Sequence, residues 1–287
     1  MRDFSRGTAH LSINTATVRK QLPLPGIIEA CAKRGIPAID PWRDQVQAAG
    51  LQATARQLRD AGLALSGYCR GGFFTAADGA GLTAALEDNR RAIDEAATLG
   101  ASCLVLVAGS LPGALQGQAA HNDIDLARTQ VFDGIAASLE HARKAKVPLA
   151  IEPLHPMQAA DRACINTLEQ ALDICDALDP DRTGALGVAL DVYHVWWDPK
   201  LAVQIARAGA KRLLAYHVCD WLVPTRDLLN DRGMMGDGVI ELKKVRGWVE
   251  AAGYTGFAEV EIFSERWWSL PADDVLDTCT ARYRAVV

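Results

Sequence analysis

Eight times along the chain, a short apolar run is followed by an amphipathic stretch. The apolar runs occupy about 10–14, 36–42, 63–68, 103–108, 148–154, 185–192, 212–218 and 257–263. Helical patterns follow at about 25–35, a second ending at 60–62, then 81–99, 123–146, 166–178, 199–209, 240–252 and 273–285. Gly35, Gly62, Gly100, Gly209 and Gly253 close five of them, as expected where a helix ends in left-handed backbone. Repeated strand–helix units build a parallel sheet with helices outside it. Six units suit an open doubly wound sheet. Eight within 287 residues predict one closed (β/α)8 TIM barrel, an α/β fold, over 1–287 as a single catalytic domain. The phosphate-binding glycine motifs of the common open-sheet folds are absent from the sequence, which agrees with the barrel.

Charge and cysteine content narrow the function. Thirty Lys and Arg face 35 Asp and Glu, a net charge of -5, which disfavours nucleic acid and anionic membranes as partners. No apolar run reaches the roughly 18 residues of a membrane span, and the first residues lack a secretory apolar core. The seven cysteines form no C-x-x-C pair, so they read as reduced thiols in the cytoplasm. The expectation is a cytoplasmic enzyme of small molecules.

In a barrel, chemistry lies where strands end. Strand 5 ends at Glu152, strand 6 at Asp191, strand 7 at His217 and strand 8 at Glu259-Val260-Glu261. Burying several carboxylates together without a counter-charge costs several kcal/mol each. A divalent cation held by Glu152, Asp191, His217 and Glu261 answers that cost, and this donor set suits Mn, Mg, Co or Zn. Glu259 and Glu261 share one face of their strand. Glu261 is nearer the mouth and is the expected ligand. Glu259 lies a layer below, either paired to a buried base or backing the ligands. Asp220 is expected to orient His217 through its outer ring nitrogen.

The pattern Ile151-Glu152-Pro153, Leu190-Asp191-x-x-His194, His217-x-x-Asp220 and Gly253-Tyr254-x-Gly256 with Val260-Glu261-Ile262 resembles the xylose-isomerase-like barrel superfamily of sugar isomerases and epimerases. Its relatives include ketose 3-epimerases, inosose dehydratase and the AP endonucleases of family 2. The resemblance implies one divalent ion, Mn foremost, on Glu152, Asp191, His217 and Glu261. It also implies proton transfer by Glu152 and Glu261, and a substrate contact by His194. Two positions depart from the epimerase pattern. Gln158 stands where epimerases carry a second glutamate, and His155 offers a different polar contact. The epimerase arginine after the strand-7 histidine has two candidates, Arg226 and Arg232.

The implied reaction is removal of a proton next to a carbonyl, through an enediolate that the ion stabilises. Return of the proton gives epimerisation or isomerisation. Loss of a β-leaving group gives lyase or dehydratase chemistry on a keto sugar or inosose. A metal-dependent AP endonuclease is a remote alternative, opposed by the acidic charge and the six histidines. A carbohydrate or polyol is the expected substrate, with a homodimer or homotetramer as the assembly. Trp42, Trp196, Trp197, Trp221, Trp267 and Trp268 follow strands, at a sugar-stacking rim or a subunit interface. The stretch from Trp221 to Val239 is long for a barrel loop and is expected to serve as a lid. Arg43 and Arg70 are lesser candidates for contacting substrate.

Overall fold

The computed structural model describes residues 3–5 and 7–287. Its parallel strands are β1 (Leu11–Asn14), β2 (Ala38–Asp40), β3 (Ala64–Leu65), β4 (Cys69–Gly72), β5 (Leu104–Val107), β6 (Leu149–Glu152), β7 (Leu186–Asp191) and β8 (Leu213–Val218). A short antiparallel pair follows, β9 (Asp220–Trp221) with β10 (Arg232–Gly233), and then β11 (Ala258–Val260). The main sheet runs β3-β2-β1-β11-β8-β7-β6-β5-β4.

The two outer members of that order come from one stretch of chain: β3 lies within the expected third strand, 63–68, and β4 follows beyond its expected end. Trp42, just past β2, bridges Cys69 at the start of β4. The Cys69 amide also donates to the Pro41 carbonyl at 3.2 Å. The sheet therefore closes into the expected (β/α)8 TIM barrel.

Helices wrap the outside close to the expected places, including Leu24–Lys33, Gly79–Leu99, Ile124–Ala145, Leu168–Leu178 and Ala272–Val286. Local chemistry explains their ends. Asp78 and Asp123 cap helix starts through side-chain oxygens, and Thr167 with Gln170 forms a capping box. The helix expected to end near Gly62 is two, Arg43–Ala49 and Leu51–Ala61. Between them Gly50 sits at φ 88°, in a region that a β-carbon disfavours.

Alternation along the strands separates two surfaces. Ile13, Ile39, Leu104, Leu106, Leu149, Ile151, Val188, Leu190, Val218 and Val260 are buried in the large apolar core that includes the helices. The opposite face of the strands carries small side chains, with Cys69, Cys103, Val105, Ala150, Ala189 and Ala215 packed as a separate cluster. Ala150, Ala189 and Ala215 stand two residues before Glu152, Asp191 and His217, so they share a face with them. Their small volume leaves room below the mouth for polar groups. Ser12, Asn14, Asp40, Ser66 and Glu259 are all buried.

All seven cysteines are free and buried, as expected of small core residues. Among the described residues no helix is long and apolar enough to cross a membrane.

Candidate active site

Register brings the strand-end groups together. Asp191 on β7 pairs with His217 on β8, and His217 pairs with Glu259 on β11. Glu152 ends β6, and Glu261 follows β11, its backbone N–H donating a hydrogen bond to the Val218 carbonyl at 3.2 Å. One donor atom from each of Glu152, Asp191, His217 and Glu261 lies within 4.8 Å of the others, and all four residues are buried. His217 Nδ1 is 3.3 Å from Glu152 Oε1 and 3.6 Å from Glu261 Oε2.

These four residues fit a divalent cation. Buried polar atoms normally have hydrogen-bond partners, yet among the described residues Glu152 Oε1 and both ring nitrogens of His217 have none. Three carboxylates and an imidazole converging on one point are also a donor set of the right hardness for Mn, Mg, Co or Zn.

The other face of the imidazole looks down the barrel. His217 Nε2 is 3.5 Å from Glu259 Oε1. Glu259 accepts hydrogen bonds from Asn14 Nδ2 at 2.8 Å and Ser66 Oγ at 2.7 Å. Asn14 Oδ1 in turn accepts from the Trp42 indole at 2.8 Å. Asp40 belongs to the same buried group, and its Oδ1 accepts from the Cys69 amide at 3.1 Å. Asn14, Asp40 and Ser66 were not singled out by sequence. Asp40 ends its strand as the four expected groups end theirs, and that was the available signal.

Asp220 does not orient His217, contrary to expectation. Its carboxylate instead accepts the backbone amides of Trp221, Gly236 and Ile240 at 2.9 to 3.0 Å. It thereby ties down the segment expected as a lid. A β-carbon at Gly238 would lie 2.1 Å from the Trp221 carbonyl, so that segment closes only with glycine there. The position behind His217 is filled by Glu259, one of the two roles open to it.

The structure also separates the two arginine candidates. Arg226 is exposed, and its backbone amide bonds to Asp231, so it does not reach the site. Arg232 is carried inward by the β9–β10 ribbon and is buried. Its Nη1 lies 2.8 Å from Asp191 Oδ2 and 3.0 Å from Glu261 Oε2, and its Nη2 is 3.2 Å from His194 Nε2. The rings of Tyr193 and Phe263 face its guanidinium at 4.5 and 5.2 Å.

Asp191 serves two partners at once. Oδ1 caps the short helix Val192–Val195 through the Tyr193 amide at 2.9 Å, and Oδ2 faces Arg232. His194 accepts the His155 amide on Nδ1 at 3.1 Å. The His155 ring stacks on Trp221 at 4.7 Å, and Tyr193 and Trp196 also pack on that indole. Gln158 is buried on the following turn, Pro156–Gln158. Trp267 and Trp268 are buried, and the Trp268 indole is tied to the Ala16 carbonyl, so these two belong to the wall rather than an open rim.

Burial and crowding of charge set the proton affinities. Burial raises the Glu152 carboxyl to about 7, against the pull of His217. Burial and the charge of Glu259 push Asp40 well above the carboxylate range, and burial raises Glu259. Burial also disfavours charge on Asp191 and His217. For Asp191 the charge of Arg232 above all, with that of His217, outweighs it and holds the carboxyl low. For His217, Glu259, Glu152 and Glu261 outweigh it and raise the imidazole. His194, buried beside Arg232, is lowered to about 3 and stays neutral at ordinary pH.

A family model described as xylose isomerase-like TIM barrel matches residues 28–281. A crystal structure of a protein from Sinorhizobium meliloti 1021 is 60% identical, with a TM-score of 0.92, covering 97% of this chain and 98% of that one. An inosose isomerase of Bacillus velezensis is 24% identical over 296 residues, covering 96% of each protein. The IOLI protein, crystallised with a zinc atom, is 20% identical with a TM-score of 0.81, covering 97% of this chain and 98% of that one.

Proposed function

Because this chain belongs to the xylose isomerase-like TIM barrel family, we propose that it is a divalent-metal-dependent isomerase or epimerase of a sugar or polyol ketone. The convergence of Glu152, Asp191, His217 and Glu261, with neither ring nitrogen of His217 hydrogen-bonded among the described residues, carries this reading. The inosose isomerase relative supports the substrate class. The zinc in the IOLI crystal supports a divalent ion, with Mn as the other leading choice.

Glu152, Asp191, His217 and Glu261 would hold the ion. When bound it supplies Lewis acidity toward a carbonyl and its neighbouring hydroxyl. The chain's own groups do the rest. Glu152 and Glu261 are the proton carriers, and they approach from different arcs of the barrel because their strands are not neighbours. A carboxylate within hydrogen-bond reach of the C–H next to the carbonyl takes that proton as a general base. Neutral His194 and cationic Arg232 orient substrate oxygens. The aromatic wall of Trp221, Tyr193 and Trp196 excludes water from the carbon that exchanges.

Incubation of the Mn-loaded protein in D2O with ketoses, inososes and keto sugars tests this reading. Deuterium is expected at the carbon beside the carbonyl, and Glu152→Gln is expected to slow its entry roughly 100-fold or more. A metal-loaded protein that exchanges no proton on any of these ketones would refute the reading, and a fully active Glu152→Gln would remove Glu152 from it.

A further inference from the structure

Beside Trp42 lies a cavity of about 390 Å³ lined by Arg19, Trp42, Arg43, Asp44, Gln47, Arg70 and Asp88. Three arginines enter it, and two are neutralised. Arg19 pairs with Asp44. Arg43 pairs with Asp88 at 2.6 Å and Glu95 at 2.7 Å. Among the described residues the Arg70 side chain has neither an ion pair nor a hydrogen bond, and its guanidinium lies over the Phe73 ring, 4.1 Å from the centroid.

That condition is unusual in this molecule. Among the described residues, the other arginines without a carboxylate partner are exposed, whereas Arg70 is half-buried. A half-buried guanidinium without a counter-charge has given up part of its hydration for nothing in return, and its planar fork matches a carboxylate or phosphate in two hydrogen bonds. Burial and the charges of Arg162 and Arg43 lower its proton affinity, as expected of a cation short of negative neighbours. The carboxylates lining the cavity are already committed to Arg19 and Arg43, so the positive charge left over is that of Arg70.

The cavity also adjoins the candidate active site. Trp42 meets Phe263 edge-on at 5.3 Å, and Phe263 is the ring facing Arg232. Trp42 also donates to Asn14, which holds Glu259 behind His217.

We infer that Arg70 is a specificity-determining residue that takes an oxyanion, a carboxylate or phosphate, at the end of the substrate remote from the reacting carbonyl. This rests on the reading of the site as a ketone isomerase or epimerase, and it narrows the substrate to an anionic polyhydroxy ketone. Arg70 makes no covalent change in the reaction.

Calorimetric titration of the Mn-loaded full chain tests it with three ketoses: neutral D-fructose, D-fructose 6-phosphate and 5-keto-D-gluconate. The wild type is expected to prefer one of the anionic ketoses to fructose, and which one identifies the oxyanion. Arg70→Met is expected to reduce that preference roughly 10- to 100-fold, the scale of a charge-assisted hydrogen-bonded pair. Arg70→Lys, which keeps the charge without the fork, is expected to fall between, and it stands in if the methionine variant fails to fold. Arg90→Met, at an exposed arginine, is the control for loss of charge alone. The inference is overturned if the wild type prefers neither anion, or if the preference survives in both Arg70 variants. Deuterium exchange on the same proteins keeps the two readings apart. Exchange without anion preference removes the Arg70 subsite and leaves the isomerase. Arg70-dependent anion binding without exchange on any ketone does the reverse.

Discussion

Two buried arginines, Arg212 outside the sheet and Arg232 at its mouth, are held in opposite ways. Arg212 is fully enclosed between the helix Leu168–Leu178 and β7. Its guanidinium donates to Asp179 Oδ2 at 2.9 Å, and also to the main-chain carbonyls of Leu186 at 2.8 Å and Cys175 at 3.0 Å. Carbonyls do not titrate and do not leave, so this cation is locked into the framework. Arg232 is held by the side chains of Asp191, Glu261 and His194. Its carboxylates are the same ones that converge with Glu152 and His217, so any further cation arriving there must share them. A buried charge satisfied by backbone belongs to the fold, and one satisfied by side-chain acids is open to competition from a ligand.

The contrast is breakable, and the largest effect is expected at Arg212. Arg212→Met takes from buried Asp179 one of its two arginine partners, Arg143 remaining at 3.0 Å, and strips their donor from the buried Leu186 and Cys175 carbonyls; breaking a buried pair costs up to about 3–5 kcal/mol. Chemical denaturation is expected to show that loss equally with and without Mn. A loss below about 1 kcal/mol, or one that Mn restores, contradicts a framework role.

Arg232→Met is expected to destabilise the metal-free protein by about 3 kcal/mol, because Asp191 and Glu261 lose their counter-charge. Most of that is expected to return on adding Mn, since a bound ion stabilises the folded state by mass action and supplies positive charge. The same unfolding midpoint deficit with and without Mn would erase the distinction between the two arginines.

The smallest effect concerns acid. Burial pushes the Asp179 carboxyl up, but hydrogen bonds from Thr183 and Arg143 and the charge of Arg212 outweigh it and hold it low. A depressed folded-state value stabilises above the unfolded value of about 3.9 and is lost as pH falls through the folded value. The Arg212 region is therefore expected to hold at pH 5 and to loosen only below about pH 4. Asp179→Asn is expected to flatten the stability–pH slope below that point, by at most about 1.4 kcal/mol per pH unit. An unchanged acid limb in this variant would show that Asp179 is not what the proton attacks.

Much of the site was legible along the chain because a strand's period of two and the barrel's polarity are local rules. Once eight strand–helix units are counted, each strand's C-terminal end is a position on one rim. Glu152, Asp191, His217 and Glu261 then follow from where their strands stop. The choice of Glu261 over Glu259 followed from height on the same strand face, and the structure puts Glu261 with the other three and Glu259 behind the imidazole.

Arg226 and Arg232 share a segment without periodicity, so their positions in the sequence carried no preference. The β9–β10 pairing turns one inward and leaves the other in solvent. Asp220 had a plausible partner three residues away, but a carboxylate bonds whichever donors the fold supplies, and the amide of Trp221 with two amides of the returning segment, Gly236 and Ile240, occupies it. Asn14, Asp40 and Ser66 are short polar side chains of the kind that often only finish a strand or start a turn.

Read alone, the chain carries enough to specify a parallel barrel and the rim on which its ionisable groups gather, because hydrophobic period and strand-end position are written residue by residue. Which arginine is locked, which one faces the acids and which one has no counter-charge depend on contacts between residues far apart in the chain. Arg70, Arg212 and Arg232 are the same residue type, and only tertiary packing gives each a different set of neighbours.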